Sequence, residues 1–355
     1  MGDAALPSIL AAAAQRRAIS SEDVLAIRRA MFNDMAVSQI EAETLIALDE
    51  AALERCPEWN DLFVEALTDF MVRQRQPAGY VDDAGADWLL NLINRDGRVR
   101  TDSELDLLVH ILETADAVPH RLRDFALAQV AAAVILGDGP LARSGRLETG
   151  RIGRDEVALL RRILFASGGE GNVGITRHEA ETLFDINDAV RSQSNDPSWN
   201  EFFAQAIGGS VLNLSTYAPV SREVAARDEA WLNDPENMSS FVSRMFSGRG
   251  IASAFDGLFG KSSDLQAWEA QNAREDAALA EAETLTADEA SWIRDRIGRD
   301  GVYDPAEKAL VAFLYRESPH VDGPLEPPAS ILQTQLEAAA SAPAAAPVFG
   351  RRRSI

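Results

Sequence analysis

Cysteine is almost missing from this sequence: Cys56 is the single one in 355 residues. An internal disulfide and a thiolate metal cluster are therefore excluded. Cys56 stands just before Pro57, near an expected helix end, with no histidine in a recognisable motif around it. It lacks the neighbour that activates a nucleophilic thiol. Histidine is scarce too, with four: His110, His120, His178 and His320. None forms a spaced metal pair of the HExxH kind. No GxSxG, Walker loop or GxGxxG stands in context, and Gly168-Gly169-Glu170-Gly171 lacks the Lys-Ser/Thr that a phosphate loop requires. No apolar run approaches a membrane span; the longest candidate, Val130 to Leu136, reads as part of a buried helix. Asp3 stands where a signal peptide wants cations, and Pro7 interrupts the short apolar stretch there. These absences predict a non-enzymatic protein of the reducing cytoplasm. A hydrolase or transferase would need a cleft joining His178 to acids from another helix.

Cations are outnumbered. The chain has 34 Lys and Arg against 56 Asp and Glu, a net charge of -22. Phosphate binding needs clustered cations, so a broad nucleic-acid face is not expected. An acidic surface keeps a protein soluble and favours basic partners or cations. Alternating strand patterns are almost absent. Apolar residues instead recur at three- and four-residue spacing, as in Val24, Ile27, Met31 and Phe32, and in Leu159, Leu160, Ile163 and Leu164. The chain reads as all-α, and its length allows two domains with cores of their own.

What is present is a repetition. Val24 to Phe32 (VLAIRRAMF) returns as Val157 to Phe165 (VALLRRILF). Glu41-Ala42-Glu43-Thr44-Leu45 returns as Glu179-Ala180-Glu181-Thr182-Leu183. Pro57-Glu58-Trp59-Asn60 returns as Pro197-Ser198-Trp199-Asn200, and Trp88 with Asp96-Gly97 returns as Trp292 with Asp300-Gly301. Pro119-His120 is echoed by Pro319-His320. Order and aromatic anchors are both kept, which points to two internally duplicated helical modules. The first is expected over 19–136, followed by a Gly/Arg-rich linker over 137–153. The second is expected over 154–320, with a helical insertion at about 208–284 that opens on the breaker Gly208-Gly209. Residues 321–355 read as a disordered Pro/Ala-rich tail ending in a basic peptide.

Four helix starts share one pattern: Ser38 with Glu41, Thr101 with Glu104, Thr176 with Glu179, and Asp304 with Glu307. This is the capping box, in which the cap side chain and the glutamate satisfy each other's backbone N–H. Such a cap is worth roughly 1 kcal/mol. The glutamates thus have a structural role before any chemistry is assigned to them.

Arg95-Asp96-Gly97-Arg98-Val99, followed by Glu104 and Leu107-Leu108, resembles the Asp-Gly-x-Val…Glu…Leu-Leu signature of TerB-like domains. That resemblance implies an internally duplicated all-helical fold, a place in stress or envelope-associated complexes, and acidic loops that bind divalent metal. It covers the two Asp-Gly units and, more weakly, the units paired with them. The Pro-x-Trp-Asn motif lies outside it. A weaker resemblance is to EF-hands, whose loops want oxygens at positions one, three, five and twelve and glycine at six. With Gly97 at six these positions hold Leu92, Asn94, Asp96 and Ser103; with Gly301 they hold Arg296, Gly298, Asp300 and Glu307. With Ile175 at eight they hold Gly168, Glu170, Asn172 and Glu179, and Val173 takes the glycine position. No loop is complete. The candidate ligands are Asp96, Glu170, Asn172, Glu179, Asp300 and Glu307, with calcium or another divalent cation as the one cofactor to consider.

Trp59, Trp88, Trp199 and Trp292 fall in pairs and read as core anchors, with partner contact the lesser alternative. Phe241, Met245, Phe246, Phe255 and Phe259 lie on a helix-like stripe that Arg244, Arg249 and Lys261 make locally basic. This 240–261 segment is read either as packed on its own module or as an element that docks to a partner or a membrane surface. Phe349 with Arg351, Arg352 and Arg353 reads as a solvated terminus or a short peptide recognised by another protein. The leading expectation is a cytoplasmic scaffold or adaptor with a protein partner, peripheral to the inner face of the membrane if the stripe binds lipid. The alternative is a divalent-cation-binding protein.

Overall fold

The computed structural model describes residues 5–31, 36–166, 174–212, 285–299 and 301–318, with Val321 and Leu325. Thirteen α-helices run through the described residues. They are α1 (Ala5–Arg16), α2 (Ser21–Met31), α3 (Gln39–Ala51), α4 (Pro57–Thr68), α5 (Asp83–Ile93), α6 (Asp102–Thr114) and α7 (His120–Ala131). After them come α8 (Pro140–Arg143), α9 (Arg154–Leu164), α10 (Arg177–Val190), α11 (Ser198–Val211), α12 (Ala287–Arg296) and α13 (Pro305–Glu317). π-helical turns extend α4 over Asp69–Arg73 and α7 over Ala132–Leu136. The strands β1 (Ala18–Ile19) and β2 (Glu54–Arg55) pair in parallel. The all-α expectation holds.

All four expected capping boxes form, at the starts of α3, α6, α10 and α13. A fifth, Thr286 with Glu289, starts α12. At α9 the cap position is Gly153, which has no side chain, so half a box remains: Glu156 accepts from the N–H groups of Gly153 and Glu148 at 2.9 and 3.0 Å. Apolar spacing then decides which face turns inward. On α4 it buries Trp59, Leu62, Phe63, Ala66 and Leu67; on α11 it buries Trp199, Phe202, Phe203 and Ile207.

One apolar core runs through both halves of the described chain. Helix α7 packs on α6, and also on α9 and α10, while α11 lies along α13. Three boundaries differ from the sequence reading. Helix α1 lies before Ile19 yet packs on α2 and α3, with Leu10 and Ala13 in the core. The segment 137–153 is built into the fold: it carries α8, buries Leu141, Leu147 and Ile152, and ties Gly150 N–H to the Val134 carbonyl at 2.7 Å. Its three apolar side chains outweigh the Gly and Arg that made it look like a linker. Gly208-Gly209 is no break, because α11 continues to Val211. A Cβ on Gly208 would stand 2.4 Å from the Phe313 ring, so glycine here lets α11 and α13 approach closely. Most of the expected insertion, the 240–261 stripe and the basic terminal peptide lie outside the described residues.

Candidate functional site

Trp59 and Trp199 are fully buried, whereas Trp88 and Trp292 are half-buried. Each indole N–H must find an acceptor once water is gone. Trp59 donates to Asp49 Oδ1 at 2.8 Å and Trp199 to Asn187 Oδ1 at 3.0 Å. Trp88 donates to Glu43 Oε1 at 3.1 Å and Trp292 to Glu181 Oε1 at 2.5 Å. The acceptors sit on α3 for one set and on α10 for the other.

Asp49 and Asn187 each hold a second group, the cap of a later helix. Asp49 Oδ2 accepts from the Thr101 hydroxyl at 2.5 Å, at the start of α6. Asn187 Nδ2 donates to Asp304 Oδ2 at 2.6 Å, at the start of α13. Where the cap is a donor its partner is a carboxylate; where the cap is a carboxylate its partner is an amide. Both locks are satisfied, by opposite chemistry.

Three of the four expected capping-box glutamates are buried, in two kinds of environment. Glu104 is buried and accepts from the N–H groups of Arg100 and Thr101 at 2.6 and 3.2 Å. Burial pushes its pKa up to about 7; those two N–H groups oppose the rise, and nearby Asp49 and Glu50 add to it. Glu307 accepts from Gly298 and Asp304 N–H at 2.7 and 3.0 Å. Burial pushes it up to about 7 too, with Asp304 and Asp188 adding repulsion. Glu179 is different. It caps α10 through Thr176 N–H at 2.6 Å and also pairs with Arg123 of α7, whose Nη2 lies 3.1 Å from Oε2. Both side chains are excluded from solvent.

Around that pair lie His120, Asp124 and His178. His120 Nδ1 lies 3.3 Å from Arg123 Nη2. The half-buried Asp124 carboxyl is raised by burial and by Glu179, against the pull of His178, Arg123 and His120. His178 therefore does lie near an acid of another helix, but it is solvent-exposed.

The expected cation ligands among the described residues, Asp96, Glu179 and Glu307, are scattered rather than convergent. Asp96 is exposed in a two-residue turn with φ of 55° at Asp96 and 84° at Gly97. Arg95 and Arg98 exchange both backbone hydrogen bonds across it, at 2.8 and 3.1 Å. This is a tight hairpin turn, and Asn94 Oδ1 faces inward to Gly97 N–H at 2.8 Å. Glu179 and Glu307 cap different helices and point into protein. Glu170, Asn172 and Asp300 lie outside the described residues. Among the described residues no group of three His, Cys, Asp or Glu side chains is arranged to hold a metal ion. Sequence reasoning missed Arg123, although a signal exists: Arg123 shares the inward face of α7 with Ala126, Leu127 and Val130. A cation on an apolar stripe calls for a buried acid.

No helix among the described residues is long and apolar enough to cross a membrane. Comparison with family models, with curated proteins and with solved structures yields no match to this chain.

Proposed function

We propose that this chain is a non-enzymatic helical scaffold or adaptor, built from two copies of one TerB-like helical unit and working with a protein partner in the cytoplasm. One observation carries the reading. The two buried cap glutamates that suggested a cation site are committed to holding helices together: Glu179 to Arg123 and the α10 start, Glu307 to the α13 start. A body stiffened this way presents surfaces and termini in fixed positions, which is what an adaptor needs. The recurrence of the indole and cap locks in each half supports descent of both halves from one unit. The 240–261 stripe and the basic terminal peptide are the elements assigned to partner binding.

Affinity capture with the full chain, and with chains lacking 321–355 or 213–284, tests this. The expected result is a defined protein recovered in near-equimolar amount, reproduced with purified components, lost with one of the two deletions and indifferent to EDTA. Thermal unfolding with calcium, magnesium, manganese and zinc runs beside it. Stabilisation by one ion, abolished by Glu179→Gln or Asp300→Asn, would replace the scaffold reading with cation binding.

A further inference from the structure

A polar groove of about 650 Å³ opens between α4, α6, α9 and the segment after α8. That volume falls within the range of small-molecule sites, roughly 300–1,000 Å³. Its lining balances in charge: Asp61, Glu65 and Asp106 against Arg73, Arg146 and Arg162, with His110 beside them. Several of these are already engaged. Arg146 holds both Asp106 oxygens at 3.2 and 3.0 Å, Arg162 holds Glu113 at 2.6 and 2.9 Å, and Arg28 holds Glu65 at 3.0 Å.

Two side chains are not engaged, and a third is engaged only at range. Among the described residues the Asp61 side chain makes no hydrogen bond or ion pair, while His110 acts on Glu113 through charge alone. Thr68 lines the groove, is 2% exposed, and has a buried Oγ1 with no hydrogen-bond partner among the described residues. A buried hydroxyl left unsatisfied is costly, so a ligand that reaches it gains a hydrogen bond the fold does not supply. Thr68 also stands where α4 passes into the π turn Asp69–Arg73, a local departure from α geometry that is frequent at functional sites. Arg73 is only loosely held, 3.7 Å from Asp69.

A simple anion in this groove would face Asp61 and Glu65, and a simple cation would face three guanidinium groups. A molecule carrying both charges meets neither penalty. We propose that the groove binds a small zwitterion of amino-acid size. Asp61 receives its ammonium group, His110 and Arg73 its carboxylate, and Thr68 Oγ1 gains the hydrogen bond it lacks. The scaffold reading assigns no such site, so this would make it a ligand-responsive scaffold.

The test is calorimetric titration and thermal unfolding of the full chain with glycine, L-glutamate, L-lysine and L-alanine, using acetate, methylamine and inorganic phosphate as single-charge controls. At least one amino acid is expected to bind with Kd below about 1 mM and at least about tenfold tighter than any control. Thr68→Val and Asp61→Asn should each weaken that binding by about fivefold or more. Thr68→Val should at the same time leave the unliganded Tm unchanged or raise it, since it removes an unpartnered buried hydroxyl. No amino-acid binding at about 10 mM, controls that bind equally well, or affinity untouched by both substitutions would each overturn the proposal.

Discussion

Arg123 of α7 and Glu179 of α10 form an ion pair that is closed to solvent on both sides, with side-chain exposures of 2% and 0%. Desolvating two charges is repaid only by close, hydrogen-bonded geometry, and the loss of either partner strands the other in an apolar setting. The pair joins α7 of the first half to α10 of the second, which makes it a latch across the middle of the chain.

Arg123→Met is therefore expected to destabilise by about 3–5 kcal/mol. Adding Glu179→Gln should recover a substantial part, because the glutamine is neutral and can still cap α10. Denaturant unfolding of the single and double variants checks this. A double variant no better than the single one would mean that the pair is not coupled as described.

The second prediction concerns the two cap locks. Asn187→Asp sets a carboxylate against Asp304 Oδ2, where the amide now donates at 2.6 Å. A loss of about 2 kcal/mol or more is expected. Asp304→Thr on that background recreates the Asp49–Thr101 chemistry and should restore about 1 kcal/mol. A double-mutant cycle by denaturant unfolding reads the coupling; a value near zero would sink the claim that the two sites read each other's donors.

The pH dependence follows from Glu104 and Glu307, both raised from 4.5 to about 7 in the fold. Between those values the folded chain holds protons that the unfolded chain has released. Stability contributed by each group is full below the unfolded pKa and is lost as pH rises through the folded one. Relative to the parent, Glu104→Gln and Glu307→Gln should therefore gain stability as pH climbs from about 5 to about 8.5, on the order of 2 kcal/mol each. Unfolding midpoints of parent and variants across that range decide it, and a flat difference would contradict the assignment.

Gly208→Ala should cost about 1–3 kcal/mol by overpacking α11 against α13. Gly97→Ala should cost about 1 kcal/mol through backbone strain alone, since its φ is 84° and the methyl group that alanine adds would meet nothing within 4 Å. Phe313→Leu should relieve the first loss and leave the second untouched. Thermal unfolding of the three single variants and the two double variants distinguishes the causes.

Much of this fold is legible in the sequence because its signals are local. A cap and its glutamate lie three residues apart, so Ser38, Thr101, Thr176 and Asp304 announce helix starts without knowledge of the rest. The tryptophans announce burial for Trp59 and Trp199 but not their acceptors, which lie 10 and 12 residues away on the preceding helix. The Arg123–Glu179 latch spans 56 residues and carries no motif, so only the odd cation on an apolar stripe hints at it. Thr68 is still harder to read. Its significance is an absence, a hydroxyl without a partner, and no spacing rule encodes that. Segment 137–153 misleads for the opposite reason: its glycines and arginines are conspicuous, while three separated apolar residues do the anchoring.

The reversed polarity of the two cap locks bears on how such a chain avoids assembling wrongly. Helices α3 and α10 share the stretch Glu-Ala-Glu-Thr-Leu, and look-alike segments in one polypeptide invite crossed partnerships while it folds. Bringing α3 to the start of α13 would confront Asp49 with Asp304, two carboxylates that repel. One crossed partnership is thereby closed, and the two look-alike helices are sorted by a difference of a single amide.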